Sequence, residues 1–223
     1  MSYGAAFTAW RDASPDWDAF TRHEFVEGLK TGALPRSAFL HYLVQDYIFL
    51  VHFARAWALG VVKAETIDEM KTCAATVDGL VNHEMQLHVG ICAEAGINES
   101  ELSAATEETG NMAYTRYVLD AGFSGDFLDL MAALAPCVTG YGVIGTRLKA
   151  EAGETQYRDW IETYADDEYQ NVCRNVGAMI DGALERRIGP DPQSSPRWAA
   201  LQKRFDDATR LEVGFWDMGL SGG

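Results

Sequence analysis

The chain has 223 residues, 48% apolar and 23% charged, enough for one domain with a core and an enclosed pocket. Its 18 Lys and Arg face 33 Asp and Glu, a formal charge of −15, which excludes a basic face for nucleic acid and attraction to an anionic membrane. Four cysteines, Cys73, Cys92, Cys137 and Cys173, make no CxxC pair, and MSYGAAFTAWRDASPDWDAF has no cationic start followed by an apolar run, so free thiols in a reduced, cytoplasmic setting are expected.

The periodicity is helical nearly throughout, with Gly and Pro between segments. Ser14 and Pro15 read as the N-cap and first residue of a helix that Gly32 closes. A long helix follows over 35–63. Its run FLHYLVQDYIFLVHFARAWALGVV reads as the most apolar of the chain, yet His41, Gln45, Asp46, His52 and Arg55 interrupt it, so it predicts a buried helix and no membrane span. Thr66 and Glu69, in TIDE, form a capping box for a helix reaching residue 95, with Gly96 beyond its end. Further helices cover 109–120 and a stretch that Ser124 opens, which carries Cys137 and ends before Gly153. Segments 155–166 and 168–188 follow, as two helices or one bent helix, and the last helix spans 195–218. No alternating strand pattern or internal repeat appears. The expectation is an all-α bundle of seven or eight helices with a central pocket, one domain over 1–223.

Four stretches carry candidate chemistry. In LAPCVTGYGVIG, Cys137 and Tyr141 share a helix face, as a packed core thiol or as a nucleophile opening into a pocket. Asp46 sits on the same apolar face as Leu43 and Leu50, where a carboxylate needs partners, as a helix-to-helix tie or as a pocket acid. In VNHEMQLH, Glu84 and His88 lie one turn apart beside His83; the spacing fits neither HExxH nor Glu-x-x-His, so hydrogen bonding within the bundle is expected rather than a metal. In RLEVGFWDMG, Glu212 precedes Phe215 and Trp216 by one turn, as an ordinary surface glutamate or as a desolvated acid suited to give a proton. Tyr164, in ETYADDE, says little alone, and its acidic neighbours Asp166, Asp167 and Glu168 read as solvated. A thiol, two acids in apolar settings and the tyrosines Tyr114, Tyr141 and Tyr164 together suit attack on a flat heteroaromatic ring.

The pieces LPRSAFLHYLVQDYIFLVHFAR, HEMQLH, APCVTGYGVIG, WIETYADDEY and EVGFWDM, in that order over about residues 5–220, resemble the TenA family, the thiaminase II or aminopyrimidine aminohydrolase group. The resemblance implies the haem-oxygenase-like helical fold, a tetramer, and no cofactor. It also implies hydrolysis of an aminomethyl-pyrimidine derived from thiamin, with cleavage of thiamin itself as a further activity. By motif, Cys137 resembles the family nucleophile, Glu212 the acid at a ring nitrogen, and Asp46 the carboxylate on the ring's amino substituent. Tyr141 and Tyr164 resemble hydroxyls lining the thiol's side, either of them a donor to the sulfur, and Tyr114 a tyrosine that holds the ring. Phe49 departs from the pattern: some members carry tyrosine there, so stacking survives and a hydroxyl contact does not. Two rivals remain: PqqC-like or di-iron oxidases on the same fold, and a non-catalytic pyrimidine-binding protein.

Overall fold

The computed structural model describes residues 2–222, which hold twelve α-helices and no strand. The first three are α1 (Ala5–Ala13), α2 (Trp17–Thr21) and α3 (Glu24–Thr31). The expected helix over 14–32 is therefore two short ones, and Ser14 ends α1 instead of opening a helix. The cause is Pro15, which drives the residue before it out of the helical region; Ser14 is extended at ψ 122. Gly32 closes α3 as expected, at φ 75, where a side chain is strained.

Helix α4 (Arg36–Lys63) matches its expected span. The Thr66–Glu69 capping box forms and starts α5 (Ile67–Gly79). That helix runs on through a wide i→i+5 turn, Leu80–Glu84, into α6 (Met85–Glu94), with Gly96 beyond at φ 85. An unforeseen α7 (Glu99–Ala104) follows, opened by a second capping box of Asn98 with Glu101. Helix α8 (Thr109–Ser124) outlasts its expected end, and Asp126 rather than Ser124 caps α9 (Phe127–Glu151), its side chain accepting from the Asp129 N–H at 3.0 Å. Helices α10 (Arg158–Ala165) and α11 (Asp167–Arg187) are separate, divided at the extended Asp166, whose carboxyl accepts from the Tyr169 N–H at 2.7 Å. Ser195 caps α12 (Pro196–Ser221), which has Pro at its first position.

Helix α9 is the axis, packed on α8, α10, α11 and α12, while α4 packs on α5, α8 and α12. Among the described residues it, and not α4, is the helix apolar enough to cross a membrane, and 94% of that stretch is buried inside the protein. Small residues let neighbours close on it: a Cβ at Gly145 would lie 2.6 Å from the Tyr164 carbonyl carbon, so α10 sits nearer than a side chain permits. Two buried carboxyls staple the periphery. Glu69 on α5 binds Arg186 and, at 2.6 Å, Arg187 on α11. Asp129 on α9 binds Arg197 at 2.5 Å and Arg204 at 2.6 Å on α12.

Candidate active site

Six segments aim polar side chains at one region of an otherwise apolar core. Helix α4 brings Asp46 and Phe49; the wide turn and α6 bring Glu84 and His88. Tyr114 comes from α8, Cys137 and Tyr141 from α9, Tyr164 from α10 and Glu212 from α12. Asp46, His88 and Glu212 are 3%, 0% and 1% exposed, so none is a surface residue. Cys137 follows Pro136, which has no N–H to give the Ala132 carbonyl, and so sits where α9's own ladder is broken.

Each acid has its own partners. Tyr114 donates to Glu212 Oε1 at 2.8 Å, and the Cys137 thiol is a neighbour of that carboxyl. Tyr42 donates to Asp46 Oδ2 at 3.0 Å. His88 Nε2 also lies 3.0 Å from Oδ2, but off the line of its N–H, so this pair is held by charge more than by an aimed hydrogen bond. His88 Nδ1 donates to the Glu84 carbonyl at 2.9 Å. Tyr164 donates to Glu84 Oε1 at 2.6 Å; its hydroxyl is thus committed to a carboxyl and not to the sulfur.

A cavity of about 220 Å³ opens past His83, Asp166 and Glu168 and ends at Cys137 and Glu84. Cys137 is 9% exposed and faces it. The other residues singled out from sequence, Asp46, Phe49, Tyr114, Tyr141, Tyr164 and Glu212, stand behind that inner end as buried wall. Phe49 packs against Tyr114 and Phe215, with ring centroids 5.0 and 5.3 Å away; Tyr141 packs against Tyr164 at 5.0 Å and Trp216 at 5.4 Å. Tyr47, which the helical register turns elsewhere, meets Ser103 near the surface. Asp166, Asp167 and Glu168 are exposed, as read from the sequence.

Burial dominates the titration of this region. It pushes Glu212 up to about 8; the Asp46 charge adds to this, against the hydroxyl of Tyr114 and the thiol. Burial likewise lifts Glu84 to about 7, with His88 opposing and Asp46 adding. Burial alone would lower His88, but the Asp46 and Glu84 carboxyls outweigh it and raise it. The Cys137 thiol is driven well above its ordinary range by burial, then by Glu212, Glu84 and Asp46. The thiol is therefore protonated at rest and needs a proton acceptor before it attacks. Glu84 and His88 hydrogen-bond within the bundle, as expected, and their side chains reach Tyr164 on α10 and Asp46 on α4. Among the described residues, no group of three or more His, Cys, Asp or Glu side chains is arranged to hold a metal ion.

The chain is similar to known proteins. The aminopyrimidine aminohydrolase of Halalkalibacterium halodurans is 36% identical over 221 residues, covering 98% of this chain and 95% of that one. The aminopyrimidine aminohydrolase of Helicobacter pylori is 31% identical over 212 residues, covering 94% and 95%. A crystal structure from Silicibacter sp. TM1040, described as a TenA family transcription regulator, is 60% identical, with a TM-score of 0.96 and 98% of each chain covered. The profile of the TENA/THI-4/PQQC family matches residues 10–222. With nearly its whole length matched, the chain belongs to the TENA/THI-4/PQQC family.

Proposed function

We propose that the chain is a hydrolase of thiamin salvage that converts 4-amino-5-aminomethyl-2-methylpyrimidine to the 5-hydroxymethyl form by cysteine covalent catalysis. One observation carries this reading: a thiol at the inner end of a cavity, ringed by the carboxyls of Asp46, Glu84 and Glu212 with no lysine or arginine among its charged neighbours. Two relatives that match nearly all of the chain are named aminopyrimidine aminohydrolase, and this supports the substrate class.

Direct displacement of the amine by water is slow, because the amine is a poor leaving group. Addition of the Cys137 sulfur to a ring carbon breaks aromaticity, and the ring then expels the amine. Water adds to the exposed methylene, and loss of the sulfur restores the ring. Glu212, protonated near neutrality, gives a proton to a ring nitrogen and makes the ring more electrophilic, help of a kind typically worth about 10²–10⁴-fold. Asp46 holds the ring's amino substituent, while Tyr114, Tyr141, Tyr164 and Phe49 frame the ring. A ring at that depth requires the aromatic side chains behind the cavity to part. Thiamin is a second substrate on this reading, and the assembly is a tetramer.

The test incubates the protein with the aminomethyl-pyrimidine, its formylated form and thiamin, following products by chromatography beside Cys137→Ser. Cys137→Ser is expected to abolish turnover and keep pyrimidine binding. Near-normal turnover by that variant refutes the nucleophile, and pyrimidine binding without turnover by the wild type refutes the hydrolase.

A further inference from the structure

Glu84 holds no role in the steps above, although its place is distinctive. Of the three carboxyls around the thiol, Asp46 and Glu212 are buried, and Glu84, partly exposed, alone lines the cavity with Cys137. It is the last residue of the wide turn Leu80–Glu84, and such turns inside helices recur at functional positions. Tyr164 fixes Oε1 at 2.6 Å, and among the described residues no donor engages Oε2. The other two acids are otherwise occupied. Asp46 faces His88 and Tyr42, and Glu212, neutral near pH 7, is a proton donor and not an acceptor.

Resting on the hydrolase reading, we propose that Glu84 is the proton carrier on the leaving-group side of Cys137. Its carboxylate takes the thiol proton as the S–C bond forms on the ring. It gives that proton to the amine nitrogen as the C–N bond breaks with its electron pair, and ammonia leaves by the cavity. It next takes a proton from water as the O–C bond forms at the methylene, and returns it to sulfur as the C–S bond breaks. The ring-nitrogen proton comes from Glu212 at the first step and goes back at the last. One water is consumed, one ammonia is released, and both acids end as they began.

The groups facing Glu84 are Tyr164 from α10, His88 from α6, Asp46 and Tyr42 from α4, Cys137 from α9, and Tyr169 and Cys173 from α11. Burial among them lifts the carboxyl to about 7, where it both accepts and releases a proton at neutral pH.

The test compares wild type, Glu84→Gln and Glu84→Asp for ammonia release from the aminomethyl-pyrimidine, with thermal unfolding as the check on folding. Glu84→Gln keeps the volume and an acceptor for Tyr164, and its kcat is expected to fall by about 10²-fold or more with little change in KM. Its Cys137 is expected to react more slowly with iodoacetamide at pH 7, because the carboxylate that takes the thiol proton is gone, and an unchanged or faster reaction counts against this role. Glu84→Asp retains more turnover than Glu84→Gln, whereas a purely structural role ranks them the other way. An active wild type with an equally active Glu84→Gln overturns this proposal alone, as does the Gln variant outranking the Asp variant. A wild type that releases no ammonia overturns the hydrolase reading, and this proposal with it.

Discussion

Glu212→Gln should make the protein more stable while making it a worse enzyme. Glu212 is 1% exposed, and burial raises its carboxyl from 4.5 to about 8. A carboxyl raised in the folded state gives stability that is complete below 4.5 and is lost as pH rises through about 8. At pH 7 the unfolded chain ionises this residue freely and the folded chain does not, which favours unfolding by about 3 kcal/mol; at pH 5 the same effect is about 1 kcal/mol. Glutamine removes the titration and keeps an acceptor for the Tyr114 hydroxyl. Any fixed cost of the amide is the same at both pH values and cancels in the comparison. Urea unfolding of both proteins at pH 5 and pH 7 isolates the term. The advantage of Glu212→Gln should grow by about 2 kcal/mol between them, or about 5 °C in Tm for a chain of this size. A difference that is flat with pH, or that shrinks toward pH 7, would show that Glu212 ionises freely in the folded protein and would remove it as a proton donor.

Two further perturbations test the frame around the thiol. Gly145→Ala places a Cβ 2.6 Å from the Tyr164 carbonyl carbon; it should cost about 1–3 kcal/mol in thermal unfolding and lower kcat by displacing Tyr164 from Glu84. Unchanged stability would mean that α10 is free to move off α9. Asp46→Ala leaves His88 buried without its counter-charge and should cost about 3–5 kcal/mol. Adding His88→Leu should recover part of that loss, and an additive double-mutant cycle would mean that the two side chains are not coupled.

Capping chemistry was legible at Thr66 and Gly32, where the signal is local. Thr66 with Glu69, Ser195 before Pro196, and Gly32 at positive φ each act within one turn of chain. Ser14–Pro15 was misread because a serine before proline fits both a helix start and a helix end, and only the unrecognised α1 decides between them. Asn98 with Glu101 carried the same signal as Thr66 with Glu69 and was passed over because α7 is a single short turn and a half. In the site, apolar neighbours marked Asp46 as a carboxylate needing partners and left Glu212 open between a surface glutamate and a desolvated acid; both are buried. Glu84 stayed hidden for a different reason. The sequence placed it in hydrogen bonding within the bundle but named no partner, because Tyr164 lies 80 residues away and is brought in by helix packing. The wide turn compounds this: one extra residue rotates all later side chains by about 100° relative to a continuous α-helix, and nothing local announces it.

Four acids with shifted titration, Glu69 and Asp129 against Glu84 and Glu212, form two populations, and their partners separate them. Glu69 and Asp129 face arginines and are each held down at about 2 in spite of their burial. They join α5 to α11 and α9 to α12, at the rim of the bundle. Glu84 and Glu212 meet tyrosine hydroxyls, a thiol and other acids, and rise to about 7 and about 8. An arginine beside the thiol would have settled these carboxyls and stabilised the fold, but it would also have removed the protons that the chemistry needs. The two populations act oppositely on stability. The stapled pair contributes above the unfolded values of 4.5 and 3.8, and that contribution is lost as pH falls through about 2. The unstapled pair contributes below 4.5 and loses its contribution as pH rises through 7 and 8, and the raised His88 runs the same way above 6.5. A net charge of −15 adds self-repulsion on the alkaline side. Urea midpoints measured from pH 4 to pH 9 should therefore peak near pH 5, on the acid side of the usual range of about 5–8. Replacing both Glu84 and Glu212 by glutamine should move that peak upward. A wild type more stable at pH 8 than at pH 5 would mean that Glu84 and Glu212 are not raised, and Glu212 would then have no stored proton to give.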